Sequence, residues 1–313
     1  MTTIRLGTES DLTREDLAPG SAAWTRLVTA SKVAAIFGVA NPSYSSARAL
    51  WHEMRGDVPR VEGDPTPEQE RGHLLEPAVL EWWRRRHPEY TTFDDQHVAT
   101  RDDLRWAIAT PDCLASGPVA PPAVVEAKTV GRPDDEWGEP GTDQVPPRYL
   151  LQVFFQMLMT GARIAYVPRL GPFLEFEEFV VEYDEAVAAA VVERCREFYE
   201  SLSGDVPPPM DGSPATFAVI RRMYDGLDRD LTVQLDPQLA HDFVSANAAL
   251  KAAETERQRV VSLVREEMGA ARIAKCGDVP VARRQGARGG ISVVCLPKST
   301  AALPPLTERS AAA

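Results

Sequence analysis

Lysine is scarce in this 313-residue chain: of 34 basic residues only five are lysine, at Lys32, Lys128, Lys251, Lys275 and Lys298. Long apolar runs are missing too. None reaches the roughly 20 residues of a membrane-spanning helix, so no membrane partner is expected. The four cysteines, Cys113, Cys195, Cys276 and Cys295, form no CxxC pair, which argues against a zinc ribbon, an iron–sulfur cluster or a disulfide scaffold. The opening MTTIRLGTESDLTRED has no continuous apolar segment, so no secretory signal is expected and the cytoplasm is the expected compartment. GxxxxGK[ST], GxSxG and HExxH do not occur. GARGG at 286–290 lacks the strand–helix context of a dinucleotide fingerprint.

A net charge of −12 would by itself disfavour a phosphate-gripping protein. That veto is weak. Arg84, Arg85 and Arg86, or Arg283, Arg284 and Arg288, make local positive surfaces or simply solvated faces, and a bound divalent cation offsets carboxylates at one point.

Against this arginine-rich background, ATPDCLASGPVAPPAVVEAKT (109–129) stands out. It holds the sole Glu-x-Lys triplet, Glu126-Ala127-Lys128, within a valine-rich segment. Alternate residues of a strand share a face, so Glu126 and Lys128 point together. Lysine offers a compact charge whose pKa responds to burial, unlike arginine. An antiparallel pair turning around Gly117 to Pro122 would bring Asp112 to the edge that carries Glu126. Two carboxylates that close repel unless a cation lies between them. A hard divalent ion with oxygen ligands, Mg2+ or Mn2+, suits that place. An exposed hairpin with solvated charges is the alternative.

Glu76 adds a third carboxylate. It lies one turn after Gly72 in a helix opened by Thr66, Pro67 and Gln69 as a capping box, with Leu75, Val79 and Trp82 at helical spacing. Pro77 is expected to kink or restart that helix, and a mid-helix glycine suggests close backbone approach. A surface glutamate beside a bend is the other reading. RYLLQVFFQMLMTG predicts an apolar helix closed by Gly161, with Tyr149, Gln152 and Gln156 aligned at i, i+3 and i+7. Neutral glutamines there suit a polar cavity better than open solvent. SKVAAIFGV predicts a short helix with Ser31 as N-cap, an ordinary cap or a phosphate site with Arg26 upstream.

The order of elements predicts an α/β core with a mixed sheet over 1–205. SGDVPPPMDGSP opens a linker spanning 206–236, a long amphipathic helix and a hairpin occupy 237–298, and a disordered tail follows at 299–313.

Five blocks occur in order: TAS (Thr29 to Ser31), GHLLEP (Gly72 to Pro77), TPDCL (Thr110 to Leu114), VVEAKT (Val124 to Thr129) and VPPRYLLQV (Val145 to Val153). In these the sequence resembles the YqaJ-like and phage lambda exonuclease family of the PD-(D/E)XK nuclease superfamily. The resemblance implies a restriction-endonuclease-like core, a mixed central sheet flanked by helices, with a C-terminal helix and hairpin extension. It implies a Mg2+-dependent 5′-to-3′ exonuclease on linear double-stranded DNA ends, leaving 3′ overhangs for a single-strand annealing protein, phage or prophage encoded and acting in a bacterial cytoplasm. By position, Asp112, Glu126 and the Ala127 carbonyl would hold the metal, with Glu76 supporting a second ion or its water. Lys128 would orient or deprotonate the attacking water, Gln152 would help place it, and Tyr149 would line the pocket. Arg26 and Ser31 would hold the 5′ phosphate. A trimeric ring is implied as well. An endonuclease of the same superfamily and a non-catalytic DNA-end-binding scaffold for a recombinase are the competing readings. Cys113 stands where the family commonly has glycine, and the Trp24–Thr29 segment is shorter than in the lambda enzyme.

Overall fold

The structure, a computed structural model, describes residues 2–6, 21–58, 66–93, 97–117, 121–287, 290–296 and 303–304. The chain divides into two units, Met1–Leu227 and Asp228–Ala313.

The first unit begins with β1 (Thr2–Leu6), α1 (Ala22–Arg26), β2 (Val28–Thr29), α2 (Ala30–Ile36), α3 (Ala47–Arg55) and α4 (Pro67–Arg86). Strands β3 (Thr91–Phe93), β4 (His97–Arg101), β5 (Ala107–Ala109), β6 (Cys113–Ser116), β7 (Ala123–Val125) and β8 (Lys128–Thr129) follow. Helix α5 (Pro147–Thr160), strands β9 (Ile164–Leu170) and β10 (Phe176–Glu182), and helices α6 (Glu185–Ser201) and α7 (Pro214–Met223) complete it.

A mixed six-stranded sheet runs β10-β9-β7-β6-β3, with β8 also paired to β9. A second sheet runs β1-β4-β5-β2. Helix α5 packs Val153, Phe154 and Met157 onto one face of the larger sheet, against Val124, Val167 and Phe179. Its other side, Phe155 and Met159, joins α2, α3, α6 and the alanines of β4 and β5. Leu80 and Trp83 of α4 close the opposite face over Cys113, Ala115 and Val125. The larger sheet is thus a buried middle layer between α5 and α4, which is why its strands read as short apolar runs.

Several sequence expectations hold. Thr66 and Gln69 form the capping box and Gly161 ends α5 at φ 76°. Others are corrected. Helix α4 continues through Pro77 without restarting; Val79 is buried as expected, but Leu80 and Trp83 are buried with it while Leu75 and Trp82 are only partly buried. The N-cap of α2 is Thr29; Ser31 lies inside the first turn. A Cβ on Gly72 would lie 4.0 Å from Thr129 Oγ1, so a methyl fits and no close approach demands glycine. The span 206–236 contains α7, whose Thr216 hydroxyl meets Ser46 at 2.7 Å inside the first unit. Cys113 lies in β6 and is absent from the left-handed region, where Leu174 is the one non-glycine residue among those described.

The second unit holds α8 (Pro237–Met268) and an antiparallel sheet of β11 (Ile273–Cys276), β12 (Val279–Ala287) and β13 (Gly290–Cys295). Helix and hairpin were both expected. Apart from Leu303 and Pro304, the expected tail at 299–313 lies outside the described residues.

Candidate active site

Strands β7 and β8 form one extended run broken at Glu126 and Ala127. Both pair in parallel with β9, Val125 against Tyr166 and Lys128 against Arg169. The skipped residues therefore face Val167 and Pro168, and proline has no N–H to give the ladder. The Glu126 amide still donates to the Tyr166 carbonyl at 2.9 Å. The Ala127 amide, on the opposite side of the strand from β9, donates to Asp112 Oδ2 at 2.9 Å. Asp112 is delivered by β6, which pairs Cys113 with Val125 across the hairpin. The expected meeting of Asp112 with the Glu126 edge is therefore present.

Glu126 is 2% exposed and both its oxygens are engaged. Oε1 accepts from Lys128 Nζ at 2.6 Å and from Gln152 Nε2 at 2.5 Å; Oε2 accepts from Gln156 Nε2 at 2.7 Å. The two glutamines come from successive turns of α5, on the polar line read in the sequence. Lys128 Nζ also lies 4.9 Å from the Tyr149 ring centre, and the Arg148 guanidinium carbon lies 4.7 Å from the same ring.

The electrostatics follow from this crowding. Burial, then the charge of Glu126, pushes the Asp112 carboxyl well above the usual carboxylate range, with Glu76 adding to it and Lys128 opposing. Burial and Glu126 likewise raise Glu76. For Lys128 burial works against the charge, but Glu126 and Asp112 together outweigh it and hold the ammonium above its ordinary value. Three carboxylates thus share one cationic side chain, and the donor set is rich in hard oxygens.

That donor set suits a divalent ion in kind. The gathered three-carboxylate site expected from the sequence is not assembled, however. Among the described residues no group of three or more His, Cys, Asp or Glu side chains is placed to hold a metal. Glu76 couples to Glu126 through its field, while the Glu126 oxygens turn toward lysine and glutamine.

Arg26 and Ser31 are not brought to this group. Arg26 ends α1 and lines a separate cavity of about 470 Å3 with Trp24, Lys32, Glu53 and Arg222. Ser31 shares a hydrogen bond with Thr29, 3.0 Å between hydroxyl oxygens. Among the described residues no hydrogen bond or ion pair joins either to Asp112, Glu126 or Lys128.

Beside the cluster, an open cleft of about 720 Å3 is lined by Thr129, Arg71, Arg132, Arg148, Tyr149 and Tyr44. Sequence reading missed these arginines, since they come from a helix, a loop and a second helix with no shared spacing. One signal was available for Arg71. A Cβ at Gly131 would fall 2.5 Å from its Nη1, so glycine there gives the guanidinium room.

Residues 21–163 match the family described as YqaJ-like viral recombinase domain, the family resemblance drawn from the five sequence blocks. No curated protein matches the sequence. Among solved structures, the chain is similar to an alkaline exonuclease, LHK-Exo, from Laribacter hongkongensis, at 19% identity and a TM-score of 0.43, covering 58% of this chain and 90% of that one. The same exonuclease in complex with dAMP matches at 18% identity and a TM-score of 0.42, with the same coverage.

Proposed function

We propose that the YqaJ-like segment is a divalent-metal-dependent nuclease, degrading linear double-stranded DNA from 5′ ends to leave 3′ overhangs for an annealing protein. The observation that carries this reading is the convergence of Asp112, Glu126, Lys128 and Gln152 at one break in the sheet, inside the segment matching the recombinase family. Mg2+ or Mn2+ on Asp112, Glu126 and the Ala127 carbonyl would supply the positive charge that activates water and neutralises a scissile phosphate.

The chain's own groups take the remaining roles. Lys128, held as an ammonium by its acidic neighbours in the metal-free chain, would orient water and stabilise the developing phosphorane charge. Gln152 and Gln156 fix the Glu126 carboxylate. Arg71 and Arg132 would form the backbone-binding side of the adjoining cleft, beside Arg148, whose guanidinium is paired with Asp134 and Glu136. The trimeric ring belongs to the same proposal.

The test compares linear duplex carrying a 5′ phosphate with a closed circle, with and without Mg2+. Release of nucleotides from the linear substrate alone, dependent on the ion and lost in Lys128→Ala, is the expected result. Cutting of the circle would replace this reading with an endonuclease, and binding without digestion would replace it with a scaffold.

A further inference from the structure

Helix α8 carries its apolar residues at alternating steps of three and four from Leu239 to Val264, with Arg257 filling the one polar step. That 3.5-residue repeat keeps a seam in line with another helix. Among the described residues of its own unit no other helix is present to cover it. Met268 is the one buried residue of α8, while Leu239, Phe243 and Leu250 are 56%, 66% and 60% exposed. Toward its C-terminal end, Val260, Val261 and Val264 instead form one wall of an apolar groove of about 530 Å3, with Val281, Val293 and Cys295 of the hairpin opposite.

We propose that α8 pairs antiparallel with α8 of a second copy of this chain. The seam itself selects that occupant. In an antiparallel register of a and d positions, Leu239 meets Val264, Phe243 meets Val260, Leu250 meets Ala253 and Ala246 meets Arg257. Each layer sets a larger side chain against a smaller one, the complementarity a close-packed seam requires. The large exposed side chains of the N-terminal half arrive beside Val260 and Val264, where the groove stands open. Each copy therefore fills the groove of the other, the reciprocal contact of a two-fold interface. At the one polar layer the Arg257 stem lies over alanine, and its guanidinium reaches toward Asp242 of the second copy one turn away. Leu239, Phe243, Leu250 and Val260 of the seam, and Leu263 flanking it, are 42% to 66% exposed. Covering them in both copies removes on the order of 1,000 Å2, about the least a specific interface buries.

The proposal is independent of the nuclease reading. Its test uses the full chain with Cys276→Ser and Cys295→Ser. Under oxidation, Phe243→Cys/Val260→Cys is expected to give a disulfide-linked dimer. Any such bond is intermolecular, because 17 residues of helix hold the two positions roughly 25 Å apart within one chain. Phe243→Cys alone is expected to stay unlinked, since the same distance separates its two copies. Leu250→Glu, at an exposed position, is expected to halve the assembly mass in sedimentation with the circular dichroism unchanged. No cross-link in the double variant, efficient cross-linking of Phe243→Cys alone, or an unchanged mass for Leu250→Glu would overturn it.

Discussion

Gln156 donates its amide to Glu126 Oε2 at 2.7 Å, and among the described residues its own Oε1 has no hydrogen-bond partner although the residue is fully buried. A fold tolerates an orphaned amide oxygen only where the other end of the side chain is needed. Here it satisfies a carboxylate that water cannot reach. Gln156→Leu keeps the volume and removes the donor, leaving Glu126 Oε2 bare. The expected loss is about 1–3 kcal/mol of stability by chemical denaturation, together with reduced nuclease activity. An unchanged midpoint would mean that water or a side-chain shift replaces the glutamine.

Lys128 and Glu126 make a different kind of pair, an ion pair in which both side chains are largely enclosed. Removing one partner of such a pair generally costs about 3–5 kcal/mol, but Gln152 shares Oε1 and softens the loss. Lys128→Ala is therefore expected to abolish cleavage while remaining folded, with a lowered melting temperature. Lys128→Arg is expected to stay inactive as well, because a planar guanidinium cannot occupy the point position between Glu126 and the Tyr149 ring. Appreciable activity in the arginine variant would show that charge alone suffices.

Much of this site was legible in the sequence because its spacing is local. Glu126 and Lys128 alternate on one strand, Asp112 precedes the partner strand, and Gln152 and Gln156 are one helical turn apart. What was not legible depends on tertiary placement. Pro168 interrupts the ladder from a neighbouring strand some 40 residues away, and the cleft arginines come from three separate elements. Arg26 and Ser31 are near in sequence, yet α1 ends before Ser31 and aims Arg26 into another cavity. Local pattern fixes which residues share a face; it does not fix which faces meet.

Asp112 gives a prediction about the ion. Its carboxyl is pushed up by burial and by Glu126, so the metal-free chain carries repulsion that an amide would relieve. Asp112→Asn can still accept from the Ala127 amide through its carbonyl oxygen. Without metal this variant is expected to be at least as stable as the native chain at pH 7. Added Mg2+ is expected to raise the melting temperature of the native chain alone, since an ion that binds only the folded state stabilises it by mass action. Equal Mg2+ stabilisation of both proteins would remove Asp112 from the ligand set.

Arg132 tests the cleft. It is exposed on the loop after β8 and lines the same 720 Å3 opening as Arg71 and Arg148. Arg132→Ala is expected to change stability by less than about 0.5 kcal/mol. Its affinity for duplex DNA should fall uniformly across sequences, and the slope of log affinity against log salt should shrink by about 1 if one phosphate contact is lost. An unaltered slope would place the DNA backbone elsewhere.

Lys32 gives the pH dependence. Its ammonium donates to the carbonyls of Trp24, Thr25 and Leu27 at 2.7–3.1 Å, closing the end of α1. Burial nevertheless lowers its pKa from 10.5 to about 7, with Glu53 pulling the other way. The folded chain therefore releases this proton before the unfolded chain does. Between pH 7 and 10.5 the unfolded state binds more protons, so this group's contribution to stability rises with pH, by at most about 1.4 kcal/mol per unit. Below pH 7 both states are protonated and the contribution is flat. Denaturation of the native chain and Lys32→Met at pH 7 and pH 9 reads this directly: the difference between them should shift in favour of the native chain at the higher pH. A difference that does not move with pH would show that the three carbonyls hold the lysine charged despite its burial.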